Sequence, residues 1–139
     1  MATVVVEDIG DYLSGLSTSW AQGRNMFLGF MPDKPNECIA ILEPLGFEPP
    51  AETMGSADIN VERPQIQIVS RGPANDYETP RRNINWAYKN LRNLVSTSLG
   101  SGTHYLYIGT RSSPYYQGED ENSRHFLVFT LDVWKHPST

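Results

Sequence analysis

Cysteine is almost missing from this chain: Cys38 is the only one. No disulfide can form within the chain, and cysteine usage gives no sign of an oxidising compartment. Cys38 lies in an apolar, strand-like run, where a buried and inert thiol is expected. Histidine is as sparse. His104, His125 and His136 have neither the i, i+4 nor the His-x-Glu spacing of a zinc site, and a single thiol makes no cluster, so no metal is expected. No apolar run approaches the roughly 20 residues that cross a bilayer, and Met1-Ala2-Thr3 lacks the basic start of a signal peptide. The expectation is a soluble, unexported chain with no membrane partner. Gly-x-Gly-x-x-Gly and Gly-x-x-x-x-Gly-Lys are both absent, which removes the usual phosphate cradles. Gly100-Ser101-Gly102 is followed by a strand pattern where a nucleophile elbow needs a helix, so it reads as a turn. Basic residues are outnumbered, 11 Lys plus Arg against 16 Asp plus Glu, and the formal charge of −5 repels phosphate. Duplex nucleic acid is therefore disfavoured as an equilibrium partner.

What is present suits one domain spanning 1–139, a size that buries a real core. Val6, Ile9, Tyr12, Leu13 and Leu16 fall on one helical face, with Glu7 and Asp8 at the positive end of the helix and Thr3 as its cap. Two strand-like runs follow at 24–31 and 37–45, and the Pro-rich turn 31–36 between them suggests a β-hairpin. Residues 46–63, with Pro49, Pro50, Gly46 and Gly55 and few large apolar groups, read as a long loop. Long ordered loops are kept for binding, which makes this stretch a candidate contact arm. Ile66 and Ile68 alternate with Gln65 and Gln67 in a half-buried strand. A second helix is expected to open at Asp76 or Thr79 with Pro80 in its first turn. Its stripe is Ile84, Ala87, Tyr88, Leu91, Leu94 and Val95, and Gly100 is available to cap its end. Strands at 103–110 and 125–134 then flank a second polar excursion at 111–124. The fold class is α+β, an antiparallel or mixed sheet packed against two helices.

The remaining candidates for chemistry are thin. Glu119-Asp120-Glu121-Asn122 gathers oxygen ligands, yet it lacks the spacing and the closing bidentate Glu of an EF-hand, so a solvated loop is favoured over a Ca²⁺ site. Arg81-Arg82 at the start of the second helix suits a solvated face or a protein contact better than phosphate in a net-acidic chain. Trp20, Trp86 and Trp134 are mainly core candidates. No titratable constellation assembles an active site. The chain reads as a non-enzyme with no catalytic residues and no cofactor.

From Pro64 onward the order of features resembles the tail terminator and tail-completion proteins of long-tailed bacteriophages, including the bacteriophage minor capsid protein family. The stretches that carry it are the strand Pro64 to Arg71, the helix Ile84 to Leu94, and Gly102-Thr103-His104-Tyr105-Leu106-Tyr107-Ile108. After these come the Pro-x-x-x-Gly-x-Asp-x-x-x-Arg loop from Pro114 to Arg124 and the closing strand Phe126-Leu127-Val128-Phe129. Together they cover about half of the chain directly, and the N-terminal helix also suits such proteins. The resemblance implies a structural virion protein of the tail and neck, assembled in the host cytoplasm. It implies a homo-oligomeric, hexameric ring that caps the tail tube and joins it to the head-tail connector or stopper, with DNA only passing through the lumen. Ring subunits meet head-to-tail, so each needs two different patches, and long polar loops on a rigid scaffold can supply them. The expected assembly residues are Tyr115, Tyr116, Glu119, Asp120, Glu121 and Arg124, with Arg81 and Arg82. A head-tail stopper or adaptor is the nearer alternative, and a small-ligand-binding α+β domain the farther one.

Overall fold

The computed structural model describes residues 5–43, 48–53, 56–99 and 103–135, with side chains of 48–63, 95–97 and 103 left aside. Helix α1 spans Val5–Leu16 and α2 spans Glu78–Leu91. The strands are β1 (Met26–Leu28), β2 (Cys38–Leu42), β3 (Glu48–Thr53), β4 (Ser56–Arg63), β5 (Gln65–Ala74), β6 (Asn93–Leu99), β7 (Thr103–Thr110), β8 (Tyr115–Glu119) and β9 (Arg124–Lys135). They form one mixed sheet that is antiparallel throughout except for the β1–β2 pair. The fold is α+β, as the residue pattern implies.

Strand β9 is the axis of the sheet. One of its edges carries β5 along most of its length, and Glu62 of β4 opposite Lys135. Its other edge carries β8 at the start and β7 at the end, and β6 adds outside β7. Alternation along β9 sends Leu127, Phe129, Leu131 and Val133 to the helix face. There they join Ile39, Ile41, Ile66 and Ile68 beneath Ile9 and Leu13 of α1 and Ile84, Ala87 and Leu91 of α2. Both helices therefore cover one face of the sheet around one core. Close seating of α2 depends on Gly72 in β5, where a Cβ would stand 2.6 Å from Pro80 Cδ. Inside this core the Tyr105 hydroxyl donates to the carboxylate of Asp8, so the first-turn charge of α1 is also a buried tie to β7.

Four expectations need correction. The runs at 24–31 and 37–45 do not form a hairpin, because β1 and β2 pair in parallel, Met26 opposite Ile39. The chain leaves β1 through Gly29, whose φ of 85° suits glycine, and loops back before entering β2 in the same direction. Second, the stretch 46–63 is not a loop: β3 and β4 pair antiparallel across it. Third, 111–124 contains β8, paired to β9 from Tyr115 opposite Val128 to Glu119 opposite His125. Fourth, α2 stops at Leu91, so Leu94 and Val95 lie in β6, opposite Ile108 and Tyr107 of β7. Val95 and Thr97 are β-branched, and a long antiparallel partner outweighs a helical stripe that continues for one more turn. Gly100, expected to cap that helix, and Thr3, expected to cap α1, lie outside the described residues.

Candidate assembly surface

Of the expected assembly residues, all but Arg82 lie on or beside β8 and the turn that follows it. Tyr115, Tyr116 and Glu119 stand on β8, whose residues are exposed except Gly118, which is half-buried. Strand β8 pairs with β9 alone among the described residues, so its outer edge keeps backbone donors and acceptors unused. A register shift between Tyr116 and Gly118, with Gly118 at φ 137°, marks a bulge in this strand. Arg81, in the first turn of α2, donates from Nη1 to the Pro114 carbonyl at 3.2 Å and ties the helix to the start of β8.

Around Tyr116 the structure adds two residues that the pattern along the chain does not single out. Tyr77, just before α2, lies 6.1 Å from the Tyr116 ring and 6.2 Å from the His125 ring, centroid to centroid. The Tyr116 hydroxyl and His125 Nδ1 are 2.8 Å apart, and a Glu119 carboxylate oxygen stands 3.8 Å from the same nitrogen. Tyr77, Tyr115 and Tyr116 are each close to half exposed. Tyr77, Tyr116 and His125 form an aromatic patch with polar rims, the composition that anchors protein interfaces, while Tyr115, the preceding residue of β8, points to the other face of the sheet. His125 reads as a strand-surface residue until the register of β8 on β9 is known, so no signal in the sequence could have paired it with Tyr116.

Asp120 and Arg124 spend their charge inside the chain. The Asp120 carboxylate accepts from the Asn122 and Arg124 amides at 2.9 and 3.0 Å and from Arg124 Nε at 2.8 Å. Desolvation alone would raise the Asp120 pKa, but these hydrogen bonds and the guanidinium charge outweigh it and hold the carboxyl below its ordinary value. Arg124 is buried and also reaches Asp33 Oδ1 at 2.8 Å and the Asp33 carbonyl. Burial opposes its charged form, and the bonds to Asp33 and Asp120 more than compensate, raising its pKa. Glu121 sits exposed in the turn between β8 and β9. With Asp120 so engaged, the acidic turn is organised by a guanidinium. Among the described residues no group of three or more His, Cys, Asp or Glu side chains is placed to hold a metal ion.

The neighbouring loop is built the same way. Arg71, buried in β5, donates to the carbonyls of Pro32, Asp33, Pro35 and Asn36, the shortest bond being 2.7 Å. Cys38 lies opposite Arg71 in the sheet, and burial pushes its thiol pKa up despite Arg71 and Arg124 nearby. A neutral, buried thiol is a poor nucleophile.

A second surface lies along α2. Trp86 stacks on Trp20 at 6.0 Å with the rings 18° apart. The two tryptophans line an open groove of about 520 Å³ with Ser17, Glu37, Arg82 and Asn83. Arg82 is exposed on its rim, while Asn83 donates to Glu37 at 2.9 Å.

Comparison with known proteins gives a consistent result. A family model described as bacteriophage tail terminator protein matches residues 5–133. A chain from a solved structure, the virion of a native gene transfer agent particle, superposes with a TM-score of 0.59 at 9% identity. The match covers 83% of this chain and 81% of that one. At that identity the likeness establishes the fold. No curated protein matches.

Proposed function

Because the chain belongs to the bacteriophage tail terminator family, we propose that it is a structural tail protein that closes the end of the tail tube as a ring at the neck of the particle. The observation that carries this reading is the extent of the family match, which takes in both helices and nearly the whole sheet. In this reading the subunits form a homo-oligomer, a hexamer, placed between the tail tube protein and the head-tail connector. The aromatic patch of Tyr77, Tyr116 and His125 docks one of these partners, with Arg81, Glu119 and Glu121 setting register around it. Aromatic anchors supply contact area at low entropic cost, whereas exposed ion pairs add only about 0–1 kcal/mol each. The net acidic chain suits a lumen through which DNA passes without adhering. Catalysis has no part in this role, and no described helix is long and apolar enough to cross a membrane.

Light scattering on the purified chain, with negative-stain images of the same sample, tests the proposal. Closed rings that stop growth of tail tubes in a reassembly mixture are the expected result. A strict monomer at every concentration, indifferent to tubes, overturns it.

A further inference from the structure

The acidic charge of this chain is unevenly spread, and the unevenness pairs two surfaces. Along α2 and the residue after it, Arg82, Lys89 and Arg92 are exposed, and the steps of seven and three residues place them on one stripe. Arg92 lies over the Tyr88 ring at 5.8 Å, which fixes its direction. Among the described residues neither Arg82 nor Lys89 forms a close ion pair, and although the Arg82 charge is felt by Asp76, the stripe keeps a net positive charge in a chain of net charge −5. The opposite charge collects on the β3–β4 hairpin. Away from Glu62, which stands opposite Lys135 in the sheet, its residues carry Glu48, Glu52 and Asp58 against Arg63 alone. This hairpin is an arm: within the sheet it is registered to the rest by the single pair Glu62 opposite Lys135.

From this complementarity we infer that the acidic β3–β4 arm of one copy docks on the cationic α2 stripe of the next copy, beside the Trp20–Trp86 groove. The inference rests on the ring reading above and names its subunit contact. The two surfaces differ from each other, as a head-to-tail ring requires. The groove gives the contact a desolvated aromatic centre, and the charges around it give direction and salt sensitivity.

Charge reversal in the full chain tests it. One variant combines Arg82→Glu, Lys89→Glu and Arg92→Glu; the other combines Glu48→Lys, Glu52→Lys and Asp58→Lys. Circular dichroism and thermal melting first establish that both fold, since all three helix positions are exposed. Each variant alone should need about tenfold or more protein to half-assemble, from like-charge contact. An equimolar mixture should assemble again, as rings in which the two alternate. Wild type that assembles while both variants also assemble normally overturns the arm-to-helix contact and leaves the ring reading intact. A wild-type chain that never assembles overturns both. If the helix variant assembles normally but loses salt-sensitive binding of a short DNA duplex, the stripe is a phosphate surface and the inference is wrong.

Discussion

A guanidinium removed from water must recover its hydrogen bonds from the protein, and Arg71 and Arg124 both draw on the loop 32–36, Arg124 adding Asp120 from its own turn. Arg71 takes four backbone carbonyls, and Arg124 takes Asp33, Asn36 and Asp120. Lysine offers a point charge in place of a planar fork, so Arg71→Lys cannot reach the same set of carbonyls. That substitution should cost about 2–4 kcal/mol in denaturant unfolding and speed hydrogen exchange at residues 33–37, because charged hydrogen bonds are worth about 1.5–3 kcal/mol each. Unchanged stability would mean that the loop holds itself. Asp120 gives a pH-dependent counterpart. Its folded pKa is depressed, so its contribution is present above the unfolded value and lost as pH falls through the folded one. The melting temperature of wild type should therefore exceed that of Asp120→Asn by a constant margin above about pH 5, and the margin should close below about pH 4. A margin that persists into strong acid would show that shape, and not charge, is what Asp120 supplies.

At the scale of elements, the helix stripes carry the core. Leu91 is fully buried in the last turn of α2, and Leu91→Ala should cost about 2–5 kcal/mol in equilibrium unfolding. Wild-type stability would show the wrong face had been assigned. This part was legible along the chain: the 3.6-residue spacing of Ile9, Leu13, Ile84, Ala87 and Leu91 and the alternation of Ile66 and Ile68 name the buried set directly. The misread elements are those whose state depends on a distant partner. Leu94 and Val95 continue the helical stripe on paper, yet β7 captures them into a strand. The turn at 31–36 looks like a hairpin turn, yet its path is set by Arg71, more than thirty residues away in sequence. The 48–63 arm carries little apolar side-chain pattern because its pairing is a backbone ladder, which the hydrophobic period does not report. The aromatic patch was half legible. Tyr115 and Tyr116 stand out as exposed-loop aromatics, yet only Tyr116 belongs to the patch, and Tyr77 and His125 join it through the bulged register of β8. On the proposed role of that patch, the pair Tyr77→Ala and Tyr116→Ala should leave the melting curve near that of wild type. Tube capping should weaken by an amount typical of interface tyrosines, about 2 kcal/mol or more each. Normal capping by the pair would move the docking surface elsewhere.

At the scale of the whole molecule, the arm is an insertion into a hairpin that needs none. Leu42 of β2 already stands opposite Gln67 of β5, so the two strands are antiparallel neighbours whose ends a short turn could join. The chain instead runs through residues 43–66 and builds a second hairpin there. Closing a loop grows costlier only slowly with its length, but ordering each added residue costs about 1–2 kcal/mol of backbone entropy, which a compensating contact must offset. In the proposed ring the neighbouring subunit supplies it. Replacing residues 44–63 by a short glycine-containing turn should therefore leave the core, both helices and the β2–β5–β9 register intact. The circular dichroism spectrum should keep its helical signal, and the melting temperature should stay within a few degrees of wild type or rise. The shortened chain should nonetheless run as a monomer where the full chain forms rings. It should also lose the salt dependence of assembly, which screening over roughly 8 Å at physiological ionic strength imposes on exposed charge contacts. A shortened chain that unfolds would make the arm part of the fold, and one that still forms rings would leave the subunit contacts to the sheet edges and helix faces alone.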